Sequence, residues 1–154
     1  MKRNLLLFTM TGFLMLLLSS CYKTVDAPGA PALNGRWYLQ NAARYDGYKW
    51  QNIQTGYEDG TFIFKGNGDL VYTDAIGVLH GSWQLYGENG GYYDNVGIYR
   101  HGYHSVFSIL LFEGNNNNAA ADWIFDDNDY AGGNRFSAVY TAGNYTYEYS
   151  FVRE

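Results

Sequence analysis

Two histidines three residues apart, in His101-Gly102-Tyr103-His104, are the first residues whose types and spacing suggest chemistry. Imidazoles that close can share a divalent metal. On a strand, positions three apart point to opposite faces, so a shared metal needs a turn, which Gly102 permits, and Asp94 is the nearest further ligand. We read the pair as surface histidines in a loop, and give the solitary His80 no role. Asp126-Asp127-Asn128-Asp129, followed by Gly132-Gly133, has the hard-oxygen spacing of half a calcium loop. The bidentate glutamate that would complete it is missing, so a solvated turn is expected. There is no Gly-x-Ser-x-Gly, no phosphate loop and no Ser-His-Asp grouping with credible spacing. Glu58-Asp59 and Asp126-Asp127 are adjacent carboxylates, whereas glycosidase acids face each other across a cleft. No catalytic residue, metal or cofactor is therefore assigned, and the expectation is a protein that is not an enzyme.

The pattern with most consequence is aromatic. Tyr145, Tyr147, Tyr149 and Phe151 alternate with Thr146, Glu148, Ser150 and Val152. That period of two gives one aromatic face and one mostly polar face, as on a sheet with one wet side. Core packing, a cavity lining and a sugar-stacking platform all remain open for it. A buried tyrosine hydroxyl needs a partner, which a wet cavity supplies more easily than a dry interior.

Strands must position these residues. Aromatic residues make up 19% of the chain, tyrosine alone accounts for 16 positions and glycine for 19, and no long segment has helical periodicity. Gly35 to Gln40 reads as the first strand. The segment 41–59 is left open, as a short helix or a lid loop. Phe62 and Phe64 share a face, Gly66-Asn67-Gly68 makes a turn, and Leu70 and Tyr72 begin the return strand of a hairpin. Leu79 to Tyr86 is another strand, and the glycine-rich stretch 87–102 is a long loop or an extra edge strand. Val106 to Phe112 reads as a strand buried on both faces or lining a cavity. Asn115 to Asn118 falls in a polar loop, here taken as mobile. Asp122 to Asp127, Arg135 to Thr141 and the terminal aromatic strand complete about eight strands. An up-and-down meander of that number can close into an antiparallel barrel, which removes exposed edges.

The N-terminus carries an address. Lys2 and Arg3 precede an apolar run from Leu5 to Leu18 that is short for a membrane span and ends in small residues, the layout of a secretory signal. Leu18-Ser19-Ser20-Cys21 resembles a bacterial lipobox, and Cys21 is the only cysteine. The resemblance implies cleavage before Cys21 and acylation of that residue, and two or three acyl chains hold a domain on a membrane stably. Residues 1–20 are then a lipoprotein signal peptide and 21–32 an anchor and tether, stiffened by Pro28 and Pro31. Residues 33–154 form the folded domain. Once Cys21 is lipidated, no thiol remains for disulfides or catalysis. Tyr22, where Asp would resemble an inner-membrane retention signal, favours the outer membrane of a Gram-negative envelope. Loss of Lys2 and Arg3 takes the formal charge from −5 to −7, which repels nucleic acid and anionic lipid.

Asn34-Gly35-Arg36-Trp37-Tyr38-Leu39 resembles the Gly-x-Trp opening strand of lipocalins and fatty-acid-binding proteins. Phe62-x-Phe64-x-x-x-Gly68 followed by Gly81-x-Trp83 is similar to the repeat of small bacterial lipocalin-like lipoproteins. The resemblance covers roughly residues 33–154. It implies a barrel floor of Gly35, Trp37 and Arg153, with the terminal arginine packed over the first-strand tryptophan. It also implies a small apolar ligand, and places the segment 41–59 at a lid. The expected cavity lining is Phe62, Phe64, Tyr72, Trp83, Phe107, Ile109, Phe136, Tyr147 and Tyr149. Arg36 and Arg135 are the expected anchors for a ligand carboxylate, if strand alternation turns them inward. The function expected is a membrane-anchored lipoprotein whose lipocalin-like barrel binds a small apolar or aromatic molecule. The alternative is a structural lipoprotein of the cell envelope that docks a protein or glycan partner.

Overall fold

The computed structural model describes residues 33–94, 96–114, 118–130 and 133–154. The residues expected to form a signal peptide, a lipidation site at Cys21 and a tether lie outside the described residues, as does most of the 115–118 segment expected to be a loop.

The chain is all β, and every strand pairing among the described residues is antiparallel. In chain order the strands are β1 (Gly35–Tyr45), β2 (Trp50–Ile53), β3 (Thr61–Phe64), β4 (Asp69–Thr73), β5 (Val78–Tyr93), β6 (Tyr99–Glu113), β7 (Asn118–Phe125), β8 (Asp127–Asn128), β9 (Arg135–Ala142) and β10 (Tyr145–Arg153). The ladder runs β7-β6-β5-β4-β3-β1-β10-β9-β8, and β2 pairs the distal half of β1. A closed eight-stranded barrel is therefore not what forms. Among the described residues there are ten strands, and the ladder stays open between β7 and β8. The reason is local. Only Asp126 separates these two strands, whereas an antiparallel hairpin commonly needs a two-residue loop. The chain instead steps from one end of the ladder to the other. Phe125 pairs with Phe107 on β6, and Asp127 pairs with Val139 on β9.

The open sheet nevertheless curls until its inner face meets itself. Phe107 on β6 lies 5.5 Å from Phe136 on β9 and 6.3 Å from Phe151 on β10, ring centre to ring centre. Ten twisted strands with one aromatic face bury that face by curling. In β10 the burial follows the expected alternation inward of Tyr145, with Tyr149 and Phe151 buried and Glu148, Ser150 and Val152 only partly covered.

The segment left open in the sequence is a hairpin. β1 runs on to Tyr45, and β2 pairs Trp50 with Tyr45 through Ile53 with Ala42. The Asp46 carboxylate fixes the turn by accepting the Tyr48 and Lys49 amides. A β-bulge between Leu39 and Asn41 matters more for the site. The extra residue reverses the alternation. Before it Trp37 and Leu39 point inward, and after it Ala42 and Arg44 do, opposite Tyr149 and Tyr147.

The glycine-rich stretch is not a loop. β5 and β6 continue pairing well past the core, from Gly87 opposite Ser105 to Tyr93 opposite Tyr99, and form a long two-stranded arm. The arm folds along the outside of the sheet. Asn128 Nδ2 donates to the Ser105 carbonyl at 3.1 Å, and a methyl placed on Gly97 at the tip would meet the Thr146 hydroxyl at 3.4 Å. His104, Val106, Val139 and Thr146 are buried although they alternate with inward-facing residues, as expected beneath a covering ribbon.

Candidate functional site

One end of the curled sheet is sealed. Trp37 is fully buried, its indole N–H donates to the Leu33 carbonyl at 2.8 Å, and its ring meets the Phe136 ring edge-on at 5.0 Å. The Arg153 guanidinium lies over the indole, 4.5 Å from the ring centre, and donates to the Asn34 carbonyl at 3.1 Å. Such a contact is worth about 0.5–2 kcal/mol, depending on how far the cation is desolvated. Gly35 makes room for it. Its φ is +132°, and a Cβ there would stand 3.1 Å from an Arg153 nitrogen.

The middle is packed with rings. Phe62, Phe64, Phe107, Ile109 and Phe136 are all in the central cluster. Phe62 touches Tyr72 at 4.9 Å, Phe64 touches Trp83 at 5.4 Å, and Phe136 stacks on Phe151 at 4.8 Å. The Trp83 indole N–H donates to the Lys65 carbonyl. Of the nine residues expected to line a cavity, eight are buried here, and only Tyr147 stays half-exposed.

The opposite end is where inward-facing rings reach solvent. Tyr140 and Tyr147 stack nearly parallel, 4.7 Å apart and 5° off parallel. Below them Tyr149 meets Trp123 edge-on at 5.0 Å, and Trp123 meets Tyr57 at 5.1 Å. Arg44 lies over the Tyr145 ring at 4.5 Å. Its Nε is buried and has no hydrogen-bond partner among the described residues. Here two sequence expectations are corrected. Arg36 and Arg135 alternate with Trp37 and Phe136 and so face outward, Arg36 pairing with the Glu154 carboxylate. The inward cation at this end is Arg44, which simple alternation from Trp37 would have placed on the outside. The bulge was the missing signal.

Burial raises the Tyr149 hydroxyl well above its ordinary range, with the Tyr140 hydroxyl beside it adding to the shift. Burial likewise raises Tyr72, with help from the Asp74 charge, and also raises Tyr57 and Tyr140. A phenol whose folded pKa exceeds its unfolded value near 10 stabilises the fold fully below pH 10, and that contribution is lost as pH rises through the folded value. In a titration followed at 295 nm, Tyr57, Tyr72, Tyr140 and Tyr149 are therefore expected to ionise only as the circular dichroism of the sheet collapses. Ionisation of these four rings with the sheet intact would contradict their packing.

The two histidines do not form a pair. Both lie on β6, where His101 is exposed on one face of the arm and His104 is buried on the other. His104 stacks on Tyr92 at 4.3 Å, and its Nε2 is 3.5 Å from a Glu88 oxygen. Asp94 spends its carboxylate on the Val96 and Ile98 amides and on Arg100. Asp126 has its pKa raised by burial, with His104 opposing that shift. Asp127 and Asn128 form strand β8 instead of the expected turn, and Asp129 accepts the Ser137 amide across the ladder. Among the described residues no group of three or more His, Cys, Asp or Glu side chains is placed to hold a metal ion.

The fold and the site thus define an all-β domain with an open, curled antiparallel sheet, an aromatic core and a tyrosine-rich end. No family model, no curated protein and no solved structure matches the chain.

Proposed function

We propose that this chain is a lipid-anchored protein of the bacterial envelope whose domain binds a small apolar or aromatic molecule at its tyrosine-rich end. The reading of the anchor rests on Cys21 and its flanks, and the lipocalin-like comparison on the Gly35, Trp37 and Arg153 arrangement. The observation that carries the binding role is the half-exposed Tyr140–Tyr147 stack beside Arg44. Rings that could have been packed inside stay open to solvent there, with hydroxyls and a cation at their edge. That combination of apolar surface and few polar groups suits a small organic ligand. The dense ring packing of the middle supports a second reading, a non-catalytic interaction protein that docks an envelope partner.

Native mass spectrometry on the full chain, purified gently from its own kind of cell in mild detergent, separates the two. The first reading expects a discrete added mass that is lost on denaturation. Tyr147→Ala is expected to cut its occupancy at least tenfold while the tryptophan emission of the core is unchanged. A bare mass, repeated after incubation with lipid and metabolite extracts, would sink the small-molecule reading in favour of the second.

A further inference from the structure

The arm has two unlike faces. Strand alternation puts Gly87, Asn89, Gly91 and Tyr93 of β5 on one face with Tyr99, His101, Tyr103 and Ser105 of β6. The other face carries Glu88, Tyr92, Arg100 and the buried His104, and is the one turned toward the body of the protein. The first face looks outward and holds no carboxylate, amine or guanidinium.

Its tyrosines are held lying down. A Cβ built on Gly91 would stand 1.9 Å from the Tyr99 hydroxyl, and one on Gly87 would stand 1.8 Å from the Tyr103 hydroxyl. Each ring therefore crosses to the neighbouring strand and rests where a side chain would otherwise be. A ring in that posture presents its flat side to solvent. Tyr99 is 60% exposed, Tyr103 57% and Tyr93 39%. Covering the glycines accounts for where the rings lie. It does not account for a face without carboxylate, amine or guanidinium on an acidic protein, or for large rings left this open.

A rigid ring with a hydroxyl at its edge suits a ligand with an apolar flat side and a hydroxylated rim, which describes a sugar ring. The face complements an uncharged glycan, and the chain's net charge of −5 disfavours an anionic one. Tyr99 and Tyr103 are four residues apart on one strand, about 13 Å, further than one sugar ring spans. We propose that the outward face of the β5–β6 arm is a platform for an uncharged polysaccharide, with Tyr99 and Tyr103 each stacking a separate sugar ring. This surface is distinct from the tyrosine-rich end and stands whether or not a small molecule binds there.

The test is affinity electrophoresis of the full chain in mild detergent. Non-denaturing gels are cast with hydroxyethyl cellulose, xyloglucan or galactomannan, and with alginate as the anionic comparison. At least one neutral polymer is expected to retard the protein, and alginate is not. Tyr99→Ala with Tyr103→Ala is expected to weaken retardation at least tenfold. The paired Phe substitutions are expected to keep most of it, and Tyr147→Ala to leave it unchanged. If the double variant does not fold, each single alanine variant is read instead, with a loss of at least threefold expected. Absence of retardation by all three neutral polymers would overturn the proposal, as would equal retardation by alginate or retardation indifferent to both tyrosines. Cosedimentation with phosphatidylcholine vesicles that disappears in the alanine variants, without polysaccharide retardation, would overturn it in favour of a membrane contact through exposed Val96 and Ile98 at the tip.

Discussion

Phe107→Ala is expected to destabilise the domain by about 3–5 kcal/mol, the range for removing a large ring from a packed interior. The residue is 0% exposed and sits where the curled sheet meets itself. Its ring contacts Phe125 beside it on β7, Phe64 on β3, Phe136 on β9 and Phe151 on β10. Those neighbours belong to four different strands, so no single side chain can swing in to fill the space. Domains of this size have total stabilities of about 5–15 kcal/mol, so the loss is a large share of the whole. The melting temperature followed by circular dichroism should fall by about 10–25 °C. Phe107→Leu, which keeps most of the volume, should cost about 1.5 kcal/mol or less. An alanine variant that melted within a few degrees of the parent would mean that the ladder, and not the aromatic centre, holds the two sides of the sheet together.

Gly81→Ala is expected to do comparable damage by adding one carbon. Gly81 lies in β5 between Leu70 on β4 and Leu111 on β6. A Cβ there would stand 1.8 Å from the Leu110 carbonyl oxygen, with the Leu110 carbonyl carbon and Leu111 Cα within 3 Å. These are main-chain atoms of a paired strand and have no rotamer to move into. The methyl must part β5 from β6 or prevent their pairing, and that ladder carries both the core residues Trp83 and Leu85 and the whole arm. The cost should be about 3 kcal/mol or more, at the upper end for overpacking, and would show as lost soluble yield or a lowered urea midpoint. Gly77→Ala provides the comparison. Nothing lies within 4 Å of a Cβ at that turn position, so its effect should stay within about 0.5 kcal/mol. Equal behaviour of the two variants would show that β5 and β6 can shift to absorb the methyl.

The elements legible in the sequence were those whose alternation is uninterrupted. β10 and the β3–β4 hairpin could be read residue by residue, because a period of two and a Gly-Asn-Gly turn state their own register. The arm was harder to read. Its alternation is real, but Gly87, Gly90, Gly91 and Gly102 erase the side chains that would reveal it, and the packing of tyrosines over glycines exists only once two strands are paired. Ladder closure could not be read either, since it turns on a single residue, Asp126, between two segments that pair with different neighbours. At the candidate site the aromatic residues were visible by composition. The inward cation Arg44 was missed because the first strand was read only as far as Gln40, and the bulge in Leu39-Gln40-Asn41 that turns Arg44 inward has no sequence signature of its own.

That bulge also gives the gene an unusual point of leverage. Loss of a single codon there would restore plain alternation from Trp37 onward and leave the strand paired with β10. Ala42 and Arg44 would stay opposite Tyr149 and Tyr147, so the Arg44 cation would remain at the tyrosine-rich end. Loss of Ala42 or Ala43 instead, with the bulge kept, would turn Arg44 outward, so the position of a one-codon deletion decides whether a descendant chain keeps that charge.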